Sequence, residues 1–219
     1  MPIVHSLNIS TGRPIAAKSG TTGIDKLPTA GPIKVAAPGR KGVGGSGLAG
    51  DVISDRKHHG GADQAVYAYA REDLDWWQSE IGGPLRSGMF GENITTFGLD
   101  VTGALIGERW RIGQDVLLEV TSPRIPCATF AVWMDQKGWL KRFTARATPG
   151  AYLRVLEPGE ISSGDAVAIE FRPNHRVTIG LTFRALTLEQ ALLPCLLDAS
   201  EYLVEELGEQ ARGIAFQIT

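Results

Sequence analysis

Eight short apolar runs, each ended by glycine, proline or small polar residues, fill the first 172 residues and constrain what this chain can fold into. They lie at 2–10, 32–37, 64–70, 92–97, 104–112, 115–122, 151–157 and 165–172. Runs of this length, bounded by turn residues, are the pattern of β-strands. VLLEV, within 115–122, alternates poorly, which predicts a strand buried on both faces. AYLRVLEPG and DAVAIEF are similar, with Pro158-Gly159 and Ser163-Gly164 as turn residues beside them. Between the strands, REDLDWWQSEIG (71–82) carries Leu74, Trp77 and Ile81 at helical spacing. A second short helix is predicted over 137–146, ending before Thr148-Pro149. Many short strands with a few inserted helices favour a mainly β, barrel-like core over a doubly wound sheet.

After Phe171-Arg172-Pro173 the pattern changes. Thr187 opens a capping-box sequence, T-L-E-Q, and Asp198 begins a second acidic cap three residues before Glu201. ALLPCLL and EYLVEEL accompany them, so 187–208 reads as a small helical tail interrupted near Pro194. The chain therefore divides into a β domain over 1–175 and a short helical extension over 176–219. Its 219 residues are enough for one sizeable core.

Charge and cysteine count narrow the function classes. With 22 basic and 24 acidic residues, the chain lacks the concentrated positive charge that a nucleic-acid polymer or an acidic membrane demands. No apolar run is long enough to span a bilayer. MPIVHSLNISTGRP has neither the basic region nor the apolar stretch of a secretory signal, so the cytoplasm is the expected compartment. Two cysteines in unlike settings make neither a disulfide framework nor a four-cysteine iron–sulfur cluster.

Several motifs carry candidate chemistry. GVGGSG (42–47) fits the dinucleotide pattern by letter, but it runs into LAGDVISD, which opens no helix, so it reads as part of a mobile Gly-rich loop, 39–50. KHHGGADQAVYAY (57–69) sets Lys57 and two imidazoles before a Gly-Gly turn, then Asp63. Adjacent histidines on an extended chain point to opposite sides and do not readily share one metal. A polar turn, or an anion site built from Lys57, one histidine and glycine amides, both fit. FGENITTFGLD (90–100) puts Glu92 and Asn93 directly before a strand. Arg109 and Arg111 lie on one strand face, a pattern that a solvent-facing strand also explains. In TSPRIPCATF (121–130), Pro123 and Pro126 hold the backbone extended around Arg124, and Cys127 follows. A neighbouring cation lowers a thiol pKa, so Cys127 is a candidate nucleophile or metal ligand, with a small buried hydrophobe as the alternative. Cys195, inside ALLPCLLDA, fits the buried reading.

GLAGD (47–51), KHHGGADQAV, FGENITTFGL, IGERWRIG, LEVTSPRIPC and YLRVLEPGEISSGDAV together resemble, in order and spacing, the MOSC domain. That module is shared by molybdenum-cofactor sulfurases and the mitochondrial amidoxime-reducing proteins, and the resemblance covers roughly residues 1–172. The layout is similar to small stand-alone bacterial members with a short C-terminal helical piece, one of which reduces hydroxylaminopurine. The resemblance implies a MOSC-type β-barrel with a cleft in which Cys127 binds molybdenum through sulfur. The dithiolene of a pyranopterin would hold the metal as well. Lys57, His59, Asp63, Glu92, Asn93 and Arg124 fall in the family's cleft motifs. Arg124 and Lys57 are expected to serve phosphate or pterin, and Asn93 to make polar contacts. The implied activity is reduction of small N-hydroxylated substrates. The sequence shows no haem-attachment motif, no cluster cysteines and no dinucleotide fold, so electrons are expected from an external reductase or small reductant. Two further readings stand beside this one: a sulfur carrier holding a persulfide on Cys127, and a non-catalytic molybdopterin-binding module.

Overall fold

The strand-like runs become strands because turn residues stop each of them before a helix can nucleate. The computed structural model describes residues 1–17 and 20–218. Thr219, the last residue of the expected helical extension, lies outside them. In order, the strands and helices are β1 (Ile3–Ile9), β2 (Arg13–Pro14), β3 (Thr21–Thr22), β4 (Leu27–Pro28), β5 (Ile33–Val35), β6 (Val66–Ala70), α1 (Arg71–Ile81), β7 (Ile94–Phe97), β8 (Arg109–Ile112) and β9 (Val116–Pro123). Then come α2 (Ala128–Met134), α3 (Trp139–Arg146), β10 (Ala151–Glu157), β11 (Gly159–Ile161), β12 (Val167–Phe171), α4 (Ile179–Thr187) and α5 (Glu205–Ile218).

Eight strands form one mixed sheet in the order β12-β8-β9-β10-β6-β7-β1-β4, and β5–β11 and β2–β3 form two small antiparallel pairs. The β6–β7 pair is parallel, Ala68 facing Ile94 and Ala70 facing Thr96. Parallel neighbours need a crossover, and here α1 supplies it, followed by the loop 82–93. That crossover carries the Phe90–Asn93 segment to the start of β7.

The expected closed barrel is not what the strand ladders form. The sheet curls until β1 reaches the residues before β12, where a single bridge joins Ile3 to Ala166. The Val4 amide donates to Asp165 O at 2.9 Å, and the Val167 amide to Pro2 O at 2.9 Å. A ladder does not continue because the far half of the same β1 edge is taken: Asn8 and Ile9 pair with Pro28 and Leu27 of β4.

β6 is buried on both faces, and its alternate side chains serve two different cores. Val66, Ala68 and Ala70 join the aliphatic interior of the curled sheet. Tyr67 and Tyr69 face an aromatic layer with Trp77 of α1, Phe130 of α2 and Trp139 and Phe143 of α3. Its rings pack edge to face, as for Phe90–Phe130 at 5.2 Å and Phe130–Trp139 at 5.3 Å. β9 is likewise buried throughout, as its non-alternating sequence predicts. Arg109 and Arg111 do lie on a common strand face, where Arg109 pairs with Glu119 and Arg111 with Glu157 and Glu170.

The tail departs from its sequence reading. Thr187 is the last residue of α4 and not a cap; its hydroxyl donates to Phe183 O at 2.7 Å. The true cap is Thr178, whose Oγ1 accepts from the Leu181 amide at 3.0 Å. Ile179 and Thr182 in α4 are β-branched and weaken a helical reading, but burial in the interior overrides propensity. Asp198 lies inside a 3-10 stretch, Gln190–Ala199, that also contains Pro194. Cys195, expected to be buried, is exposed there. Val177, Ile179, Leu193, Leu196 and Ala211 share the aliphatic core with the strands, so the extension is packed into the sheet's own interior.

Tyr202 closes this packing by lying over Gly107, which has φ +84°; a Cβ there would collide with the Tyr202 ring. Gly107→Ala adds that clash to a left-handed backbone and should cost about 2 kcal/mol or more. Thermal denaturation should show Tm lower by roughly 5 °C, while Gly83→Ala, with open space around it, stays near wild type.

Candidate functional site

The crossover loop, the β9–α2 junction and the glycine-rich segments meet around one cleft, about 100 Å³ in volume and partly open to solvent. His59, Asn93, Arg124 and Cys127 all line it.

A buried polar network fixes the cleft's inner wall. Lys26 Nζ meets both Asp51 oxygens at 2.5 and 2.6 Å, with side chains 4% and 0% exposed. The Asn93 amide donates to Asp51 Oδ2 at 2.8 Å, and its Oδ1 accepts from the Tyr67 amide at 3.2 Å. The Ser10 amide donates to the other Asp51 oxygen at 2.9 Å. Burial holds the Lys26 ammonium below its ordinary pKa, with Asp51 and Glu92 pulling the other way. A charge pair this deep persists only when its remaining lone pairs are satisfied, and Asn93 and Ser10 satisfy them.

Glu92 is fully buried. Its carboxylate accepts from the Gly88 and Phe90 amides and from Thr95 Oγ1. Burial pushes its pKa up against those three bonds. Glu92 thus shapes the loop from beneath and does not line the cleft, so its place differs from that of the cleft residues it was grouped with.

The stiff Pro123–Pro126 segment does end in a presented thiol. Cys127 is half-buried and stands immediately before α2, a helix its sequence context conceals. Burial alone would push the thiol pKa up. The His59 ring and the Arg124 guanidinium outweigh it and bring the thiol down to about 7. The Phe130 amide also favours the thiolate, at a geometry short of a capping hydrogen bond. Arg124 is held in place by its own contacts. Nη1 donates to Phe90 O at 2.9 Å, and the guanidinium stacks on Phe130 at 3.8 Å.

His59 is aimed by glycine packing. Gly60 and Gly61 have φ near +80°; a Cβ on Gly60 would sit 2.6 Å from Gly45 O, and one on Gly61 2.6 Å from Lys41 N. The Gly61 amide donates to Gly45 O at 3.0 Å, and Gly47 to Ala65 O at 2.6 Å. The dinucleotide-like GVGGSG is therefore a loop whose glycines form a backbone-to-backbone seat for the His59 turn.

Besides Glu92, two more of the residues grouped with the cleft by sequence lie away from it. Lys57 is exposed and outside the lining, and the exposed Asp63 pairs with Arg154 at 3.1 Å. The turn geometry sends their side chains outward while His59 and Gln64 enter the cleft. Sequence reasoning missed Lys26, Gln64, Tyr67 and Tyr152 on the lining. Asp51, which anchors Lys26, was visible only as the last letter of GLAGD.

The sequence profile of the MOSC domain matches residues 55–168, and the chain belongs to that family. MOSC domains are associated with the molybdenum cofactor. Bacillus subtilis YflK, described as uncharacterised, is 36% identical over 115 residues, 52% of each chain. Escherichia coli YiiM is 31% identical over 122 residues, 53% of each. The chain thus spans about half the length of these two curated relatives. A Gibberella moniliformis protein described as a reductase is 29% identical over 154 residues, 68% of this chain and 27% of that one. The crystal structure of Geobacillus stearothermophilus YiiM superposes with TM-score 0.76 at 24% identity, over 97% of this chain and 98% of that one. That of E. coli YiiM gives 0.74 at 19%, over 100% and 94%. These superpositions establish the shared fold.

Two measurements check the site. Iodoacetamide should alkylate Cys127 with a pH midpoint near 7, because only the thiolate reacts and its fraction falls below that pH. His59→Phe removes the largest favourable contact and should move that midpoint upward. Asp51→Asn strands the buried Lys26 charge and should cost about 3–5 kcal/mol in urea denaturation. The double variant Lys26→Met/Asp51→Leu, which leaves no lone charge, should lose less.

Proposed function

We propose that this chain is a molybdenum-cofactor-dependent reductase of small N-hydroxylated substrates, with Cys127 as the protein's ligand to the metal. The carrying observation is a half-buried cleft thiol whose thiolate is available near neutrality. A soft thiolate suits such a metal, and ligation requires the deprotonated form. Among the described residues no three His, Cys, Asp or Glu side chains converge as ligands. The donor set therefore fits a metal that arrives with most of its ligands, as a pyranopterin dithiolene would provide. The relative described as a reductase supports the same direction.

The bound cofactor would supply the redox chemistry, in which N–OH takes up two electrons and two protons and leaves as N–H and water. The chain's own residues do the rest. Cys127 anchors, Arg124 favours the anchor's charged form, and His59 stands against the sulfur. Ile24, Val52, Ile53 and Phe90 form an apolar wall that limits water. The Lys26–Asp51–Asn93 network keeps the floor from shifting. Electrons come from outside the chain, from a reductase or a small reductant.

Elemental analysis of protein made in a cofactor-producing host should find stoichiometric molybdenum in the wild type and little in Cys127→Ala. Purified protein alone should not couple NAD(P)H oxidation to substrate reduction. A persulfide on Cys127 with no molybdenum would instead favour sulfur transfer.

A further inference from the structure

One side of the cleft mouth carries a cluster of positive charge. Asp55 and His59 both line the cleft, and the residues between them, Arg56, Lys57 and His58, form an exposed outer turn. A second exposed loop brings Arg40 and Lys41 to the same place. The Gly42 amide donates to Arg56 O at 3.1 Å, the Arg56 guanidinium donates to Val43 O at 3.3 Å, and the Lys41 backbone abuts Gly61, two residues beyond His59. The carboxylates of this neighbourhood are already engaged: Asp55 with His58 at 2.9 Å, Glu206 with Lys41 at 3.2 Å and Asp63 with Arg154 at 3.1 Å. Arg40, Arg56 and Lys57 have no carboxylate partner among the described residues. The chain as a whole has a formal net charge of -2, so this concentration of cations is local to the mouth.

Beside the thiol the mouth is apolar. Ile125 follows Arg124 and precedes Cys127 by two residues; both of those line the cleft, and Ile125 is 44% exposed. Val132, 42% exposed, stands one turn along α2 from Thr129, another lining residue. Val52 lines the cleft itself and is also exposed. Apolar side chains left in water around a functional opening mark a contact surface. The cations stand at the surface, so their field extends into solvent and acts on a partner before contact.

We propose that this mouth, basic at the Arg40 and Arg56 loops and apolar beside Cys127, is the docking surface for an acidic one-electron carrier protein. Charge complementarity selects the partner. The unpaired guanidinium and ammonium groups attract an acidic face over a range set by the salt concentration. Ile125, Val132 and Val52 then hold the encounter through a small interface, the kind that transient redox complexes use. Each docked carrier gives up one electron at the open side of the cleft. Two in turn supply the pair that N–OH takes up with two protons, leaving as N–H and water. The use made of the electrons rests on the proposed reductase reading, but the docking itself is tested without turnover.

The probe is flavodoxin, a small acidic FMN protein, titrated calorimetrically into the full chain with and without loaded cofactor; basic cytochrome c is the control. Wild type should bind flavodoxin and not cytochrome c at about 0.01 M salt, and bind it about tenfold or more weakly at about 0.15 M. Arg40→Glu/Arg56→Glu should weaken binding by about tenfold or more, and Val132→Asp should weaken it as well. Arg40→Gln/Arg56→Gln, a milder change at two exposed positions, covers failure of the reversal to fold and should weaken binding in the same direction. In loaded protein the reversal should slow flavodoxin-driven hydroxylamine reduction and leave reduction driven by the methyl viologen radical unchanged. No flavodoxin binding by wild type, equal binding of cytochrome c, or an affinity that neither salt nor the arginine variants move would overturn the assignment. So would binding of inorganic pyrophosphate through Arg40 and Arg56 without carrier binding, which makes the patch a small-anion site. If flavodoxin binds as stated but viologen drives no hydroxylamine reduction, the reductase reading falls and the docking surface stands. If viologen drives reduction and flavodoxin does not bind, the docking surface falls and the reductase reading stands.

Discussion

An ammonium and a carboxylate buried together hold this cleft in one shape. Lys26 and Asp51 come from separate loops, and Asn93 from the end of a crossover, yet a handful of bonds of 2.5–2.9 Å lock them to one another. Each partner would be intolerable there alone, because an unpaired charge out of water is costly. The three segments therefore have one arrangement that satisfies all of them. The open side of the cleft is built on that rigid back.

Against that back, the electrostatics of Cys127 follow from competition. Burial opposes the thiolate, while Arg124 and His59 favour it and prevail. Arg124 acts from a fixed position because aromatic stacking and the Phe90 carbonyl hold it. The same aromatic layer that packs α1, α2 and α3 on the sheet thus also tunes the sulfur. Packing and reactivity are one arrangement of side chains here.

Much of the strand plan was legible because turn residues mark strand ends sharply. β10 was predicted at its observed bounds, and the 71–82 helix within a residue. α2 was not legible, since a cysteine and a proline precede it and no polar cap announces it. Neither was α4, whose β-branched residues are helical through burial alone. At the site, Arg124 and Cys127 could be read from adjacency, because proximity in sequence gave proximity in space. Lys26 could not: its meaning comes wholly from Asp51, twenty-five positions away. Lys57 and Asp63 share a motif with His59 yet face outward, since a tight glycine turn separates neighbours that a motif groups together.

The glycine seat under His59 links two stretches of chain by the atoms they lack. Residues 44–45 and 60–61 touch backbone to backbone, with no side chain between them to absorb a change. Drift in one stretch is therefore tolerable only alongside compensation in the other, and inserted residues in either would tilt the imidazole away from the sulfur. Among relatives, these two segments should vary as a pair or stay still as a pair.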